Sequence, residues 1–194
     1  MHTKECYVTV FGYQSRFNLP SLSHTFATFS HFSFANEIEH ITISWMPKTG
    51  TVNLWKLPEV GINWTLQKSF HAAQHVGLDL KTWGPYKCHP DLIEKARKQK
   101  QSLESGTVRY KALDWPWRAS GKVSNCIHAV TDVLDDHPKA RTWLARGFSG
   151  SELALKHLQK WIIDHDMTYP HIIDTFFEVK QHDIDVDLKF VAAK

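Results

Sequence analysis

Cys126 follows Ser124 and Asn125 at the start of SNCIHAVTDVL, a stretch that reads as a helix with Ser124 or Asn125 as its N-cap. A thiol in that place feels the positive end of the helix dipole and the unpaired N–H groups of the first turn. Both favour the thiolate. The same N–H groups suit an oxyanion formed on an attacked carbonyl. The implied chemistry is nucleophilic attack by sulfur, which needs a base and a group to orient that base. His24 and His40 each begin the polar register of an extended segment, SHTFATF and EHITISW. If those strands are neighbours, the two rings meet at one sheet end, with His24 as base and His40 holding its ring. The plainer alternative is a core cysteine and two half-buried strand histidines. His31 falls in the turn region after the first of these strands. His128 lies two residues beyond Cys126 on the same helix and points away from the thiol. Cys6, in a strand, and Cys88, before a proline-capped helix, have no comparable setting.

A metal site is the competing chemistry, because the chain carries thirteen histidines. His71 and His75 are four apart on an expected helix, with Cys88-His89 a short loop later. Zinc accepts such ligands. The segment lacks the glutamate of a zinc-protease helix and any Cys-x-x-Cys pair. We therefore expect a solvated helix, no metal and no cofactor. There is no glycine-rich phosphate loop, no Gly-x-Ser-x-Gly elbow and no dinucleotide fingerprint.

The elements that must position these residues divide into two halves. Strands are expected at Cys6–Phe11, Ser23–Phe29 and Glu39–Trp45, and a further one at Thr51–Leu57. On the second strand His24, Phe26 and Thr28 share one face and Thr25, Ala27 and Phe29 the other. On the third, His40, Thr42 and Ser44 oppose Ile41, Ile43 and Trp45. Helices are expected at Leu66–Val76, His89–Leu103, Ser124–Leu134 and Ser151–Ile163, with a strand at Thr107–Leu113 and strands at Phe176–Val179 and Ile184–Phe190. Strands early and helices late indicate an α+β fold, an antiparallel sheet or half-barrel packed on helices.

Composition bounds the rest. The 194 residues are 42% apolar and 22% charged, which is a globular and not a disordered balance. Surface scaling buries about 70% of the unfolded chain's surface, enough for a core without staples. A net charge of +3, with basic residues scattered apart from Lys95–Lys100, argues against nucleic acid as partner. No apolar run is long enough to span a membrane. The N-terminus has no signal-peptide core, and three widely spaced cysteines make no disulfide framework. The expected address is the cytoplasm, and the oligomeric state is not legible.

Taken together, SHTFATF, EHITISW and YKALDW…NCIHAVTDV resemble the circularly permuted branch of the papain-like, NlpC-type cysteine hydrolases. There the histidine strands precede the cysteine helix. The resemblance covers roughly residues 5–137, and its most specific piece runs from Tyr110 to Val133. It implies a single domain over residues 1–194, a papain-like core to about 137 and a helical extension over about 140–194. It implies Cys126 as nucleophile, His24 as base and His40 as third polar residue, with Ser44 or Glu39 competing for the third place. The implied activity is hydrolysis or acyl transfer at an amide, ester or thioester through an acyl-cysteine, a thiol-protease-like chemistry. The substrate would be a peptide, a modified protein or an acyl-lipid. The opposing readings are a non-catalytic binding module on the same fold and a His-rich metal-binding protein. The insertion containing Trp83-Gly-Pro-Tyr86 is expected to serve aromatic packing, with a substrate-shaping loop as the alternative.

Overall fold

The structure is a computed structural model and describes residues 5–32, 38–114, 120–134, 145–176 and 191–192. Strand β1 (Glu5–Gln14) pairs antiparallel with β2 (Ser23–Phe32) along their whole length. β2 pairs with β3 (Ile38–Ile43) from Phe32–Ile38 to Ala27–Ile43, and there the pairing stops. On the other side of β1 lies β6 (Asp79–Lys87), antiparallel, then the short β9 (Val191–Ala192), parallel to β6. The sheet order is β3-β2-β1-β6-β9.

This sheet is covered on both faces, which is why β1 is apolar on both. Cys6, Val8 and Val10 face one layer with Ala27, Phe29, Ile41 and Ile43. That layer is closed by α2 (Pro90–Glu104), α3 (Cys126–Thr131) and α4 (Gly147–Leu158). Tyr7, Phe11, Tyr13 and Phe26 face the other, closed by α1 (Leu66–His75) and α5 (His171–Thr175). Phe11 stacks on Phe26 at 5.0 Å, and Phe70 of α1 meets Phe11 edge-on at 5.3 Å. A second, four-stranded sheet runs β4 (Trp45–Pro47), β5 (Glu59–Asn63), β7 (Arg109–Tyr110), β8 (Val123–Ser124). The fold is α+β with mainly antiparallel sheets, and no closed barrel forms among the described residues.

Several expectations need correction. Thr51–Leu57 is a loop, in which the Trp55 N–H donates to Asn53 Oδ1 at 3.0 Å, and the strand comes later, at Glu59–Asn63. Asn53 and Pro58 favour the turn over the ladder. The segment containing Trp83–Tyr86 is not an insertion but the interior strand β6; its Trp83 packs in the core as expected, 6.1 Å from the Phe148 ring. α4 begins at Gly147, not Ser151. Gly147 sits at φ +53, and the Gln14 side chain accepts the Phe148 N–H at 3.0 Å, so a residue far away in sequence caps the helix. α4 packs on β1, β2 and α3, so residues beyond the expected core boundary belong to its main layers. The boundary itself, at 137–140, and the expected tail strands beyond Phe176 lie outside the described residues.

α4 approaches β1 at Gly12, where an added Cβ would lie 2.3 Å from Ser151 Oγ. Ser151 Oγ also donates within hydrogen-bonding reach of Phe11 O (2.9 Å) and Thr25 Oγ1 (3.1 Å). Gly12→Ala is expected to cost about 1–3 kcal/mol by overpacking in denaturant unfolding. Adding Ser151→Ala removes the closest clash, so the double variant should be destabilised by less than the sum of the singles. Additive losses would show that helix and strand meet elsewhere.

Candidate functional site

Asn125 caps α3, its Oδ1 accepting the His128 N–H at 2.8 Å, and its Nδ2 donates to Ala112 O at 3.4 Å. Cys126 is thus the first helical residue, as the sequence predicts. It is partly exposed and lines a pocket of about 90 Å³ with Tyr110, Leu113, Leu54, Pro20 and Arg146. The backbone N–H groups of Thr25, Ile127 and Cys126 itself face the sulfur and favour its thiolate. Burial outweighs them and pushes the thiol up to about 11. The thiol is therefore protonated at neutral pH, contrary to the expectation from the helix dipole. Three N–H groups do not replace the water that the enclosing protein removes.

Thr25 is the residue next to His24. His24 is fully buried on the α1 face of the sheet, its ring 5.3 Å from Phe26 and nearly parallel to it. Its Nε2 lies 2.8 Å from Ser44 Oγ, and Ser44 Oγ lies 2.7 Å from Ser69 Oγ. Ser69 Oγ in turn donates to Thr65 O at 3.0 Å, one turn back along α1. This chain has one polarity. Ser69 Oγ directs its single proton to Thr65 O, which also accepts the Ser69 N–H at 3.1 Å. Ser44 then donates to Ser69 and accepts from His24 Nε2–H. The proton of the neutral ring is on Nε2, and Nδ1 carries a lone pair. Burial lowers the His24 pKa to about 3, so the ring stays neutral.

Nδ1 of His24 is buried and has no hydrogen-bond partner. An unpaired buried acceptor costs about 1–3 kcal/mol. No hydrogen bond joins it to Cys126 in this arrangement; what the fold supplies is the sulfur against the backbone of the adjoining residue.

His40 is not brought to His24. The register sets it opposite Ser30, six residues along β2 from His24, roughly 20 Å at strand rise. Its Nδ1 is 3.0 Å from Ser30 Oγ, and its Nε2 is 3.3 Å from Thr175 O. The ring ties the sheet to α5, edge-on to Phe176 at 4.9 Å. Sharing a face is not sharing an end, and the sequence reading conflated the two. Ser44, the competing candidate, holds the His24 ring. Glu39, the other, pairs with Arg97 at 2.6 Å.

Ser69 and Asp114 were missed. Asp114 Oδ2 forms a buried bond with His128 Nδ1, fastening the end of the Tyr110–Asp114 segment to α3 beneath Cys126. Its charge also disfavours the Cys126 thiolate. Nothing in sequence spacing marks either residue, since each acts through a partner from another element. His71 and His75 are exposed on α1, and Cys88 is buried where β6 ends. Among the described residues no group of three or more His, Cys, Asp or Glu is arranged to hold a metal.

The raised thiol makes a direct prediction. Alkylation of Cys126 by iodoacetamide should rise about tenfold per pH unit through pH 9, without levelling near 8.5, the value of a free thiol. Peptide mapping isolates the Cys126 signal from the buried Cys6 and Cys88. A plateau below pH 9 would show that the thiolate is stabilised after all. Comparison with family models, with curated proteins and with solved structures finds no match to this chain.

Proposed function

We propose that the chain is a cysteine-dependent hydrolase or acyltransferase, on a permuted papain-like fold, acting at an amide, ester or thioester through an acyl-cysteine. The observation that carries this reading is the serine relay, which leaves His24 with a bare, buried Nδ1 beside the strand residue that contacts the Cys126 sulfur. In the proposed reaction His24 Nδ1 takes the thiol proton as sulfur attacks the acyl carbon. The C–S bond forms, and the carbonyl electron pair moves to oxygen. The N–H groups of Cys126 and Ile127, which face the sulfur in the resting site, turn their donation to that oxyanion. The imidazolium then protonates the leaving group as the tetrahedral adduct collapses. Water or an acceptor hydroxyl or amine, deprotonated by the same nitrogen, releases the acyl group and restores the thiol. Ser44 and Ser69 hold the tautomer throughout. A thiol at about 11 and an imidazole at about 3 form a neutral resting pair, so the charge separates only when the acyl donor arrives.

A second reading, a non-catalytic binding module, is favoured by the same raised thiol, which suits an inert core cysteine. p-Nitrophenyl acetate separates the two. The enzyme reading predicts acetyl transfer to Cys126, seen by peptide mass mapping, and none in Cys126→Ala. His24→Gln should slow acetylation by about 10²-fold or more, the usual share of a general base. Ser44→Ala should slow it less, and His40→Ala should leave it within about twofold. Equal rates in wild type and His24→Gln would make Cys126 a structural thiol.

A further inference from the structure

Five large apolar side chains stand in solvent on segments that line the Cys126 pocket. Phe17 (80% exposed) and Leu19 lie on the β1–β2 connection, which reaches the pocket wall at Pro20. Trp55 (87% exposed) and Leu57 lie on the β4–β5 connection, which supplies the wall at Leu54. Leu113, itself on the wall, is the fifth. Single exposed apolar residues need no explanation, but two loop tips carrying Phe, Trp and Leu beside one pocket mouth do.

Arg16 precedes Phe17, and Arg146 lines the pocket; Lys56 stands between Trp55 and Leu57. Lys56 pairs with Glu59 at 2.7 Å, and no described acid pairs with Arg16 or Arg146. Aromatic and leucine side chains with interleaved cations suit the boundary between anionic headgroups and acyl chains. A second copy of the chain is disfavoured, since a two-fold contact through this face would oppose arginine to arginine.

We propose that the mouth of the Cys126 pocket docks on an anionic lipid surface. Phe17, Trp55 and Leu57 enter the interfacial layer, and Arg16 and Arg146 meet the headgroup phosphates. No described helix is long and apolar enough to cross a membrane, so the contact is peripheral and reversible. The docking does not depend on the chemistry of Cys126.

Co-sedimentation of the full chain with phosphatidylcholine vesicles, with and without phosphatidylglycerol, tests this. Binding is expected only when phosphatidylglycerol is present, and should weaken with salt. Trp55→Ser and Phe17→Ser should each lower it about tenfold or more, the share of one large apolar side chain taken out of water. Arg16→Gln should lower it about fivefold. Ile163→Ser and Met167→Ser, exposed apolar positions away from the mouth, should leave it unchanged, and Cys126→Ala should bind as wild type does. Absence of binding to the mixed vesicles overturns the proposal. So does binding that survives Trp55→Ser and Phe17→Ser together. Concentration-dependent dimerisation in sedimentation velocity, lost in those same variants, would assign the face to a second copy instead.

Discussion

The site depends on the point at which β3 leaves β2. Their ladder ends at the Ala27–Ile43 pair, and beyond it both strands have backbone and side chains to offer to other partners. On β2 the Thr25 N–H meets the Cys126 sulfur. On the departing chain Ser44 turns to the His24 ring. Asn63 keeps the departure in place, its Oδ1 accepting the Ser44 N–H at 2.7 Å and its Nδ2 donating to Thr42 O at 2.8 Å. Continued pairing would close the edge that α3 occupies.

Enclosure then decides how the groups behave. Cys126 and His24 lose more hydration than their hydrogen bonds return, so each is held in its neutral form. A neutral pair in a low-dielectric setting is chemically quiet until a polarisable substrate bond is presented. Ser69 and Thr65 contribute because a Ser69 proton directed to Thr65 O leaves Ser44 to donate to Ser69 and to accept from His24. The tautomer of His24 is thereby set from α1, the helix on the same face of the sheet. Tyr13 and Tyr110, whose phenols are also raised by burial, complete a surround in which charge is disfavoured unless it is matched.

Much of this was legible in the sequence, for local reasons. The alternation in SHTFATF and EHITISW gives the correct faces: Thr28 meets Thr42 at 3.0 Å, and His24 meets Ser44. Asn125 before Cys126 gives the helix start. What alternation does not carry is register, and a shift of several residues separates a histidine opposite His24 from one opposite Ser30. The serine relay joins residues 24, 44, 65 and 69 through three elements, so no single stretch signals it. Gln14 capping α4, and Asp114 bonding His128, are contacts of the same long-range kind. The loop at Thr51–Leu57 has the apolar content of a strand, but only Val52 reaches the core; Leu54 is at the pocket wall, and Trp55 and Leu57 are in solvent.

The central claim is that the relay leaves His24 neutral, with its proton on Nε2 and a free lone pair on Nδ1. Nitrogen-15 NMR of ring-labelled histidine, assigned by comparison with His24→Gln, measures this directly. The account predicts a protonated Nε2 and an unprotonated Nδ1 at neutral pH, with no titration of that ring down to pH 5. Ser69→Ala should loosen this preference by freeing Ser44 to reorient. A proton on Nδ1, a mixture of tautomers in the wild type or an imidazolium near neutrality would contradict it.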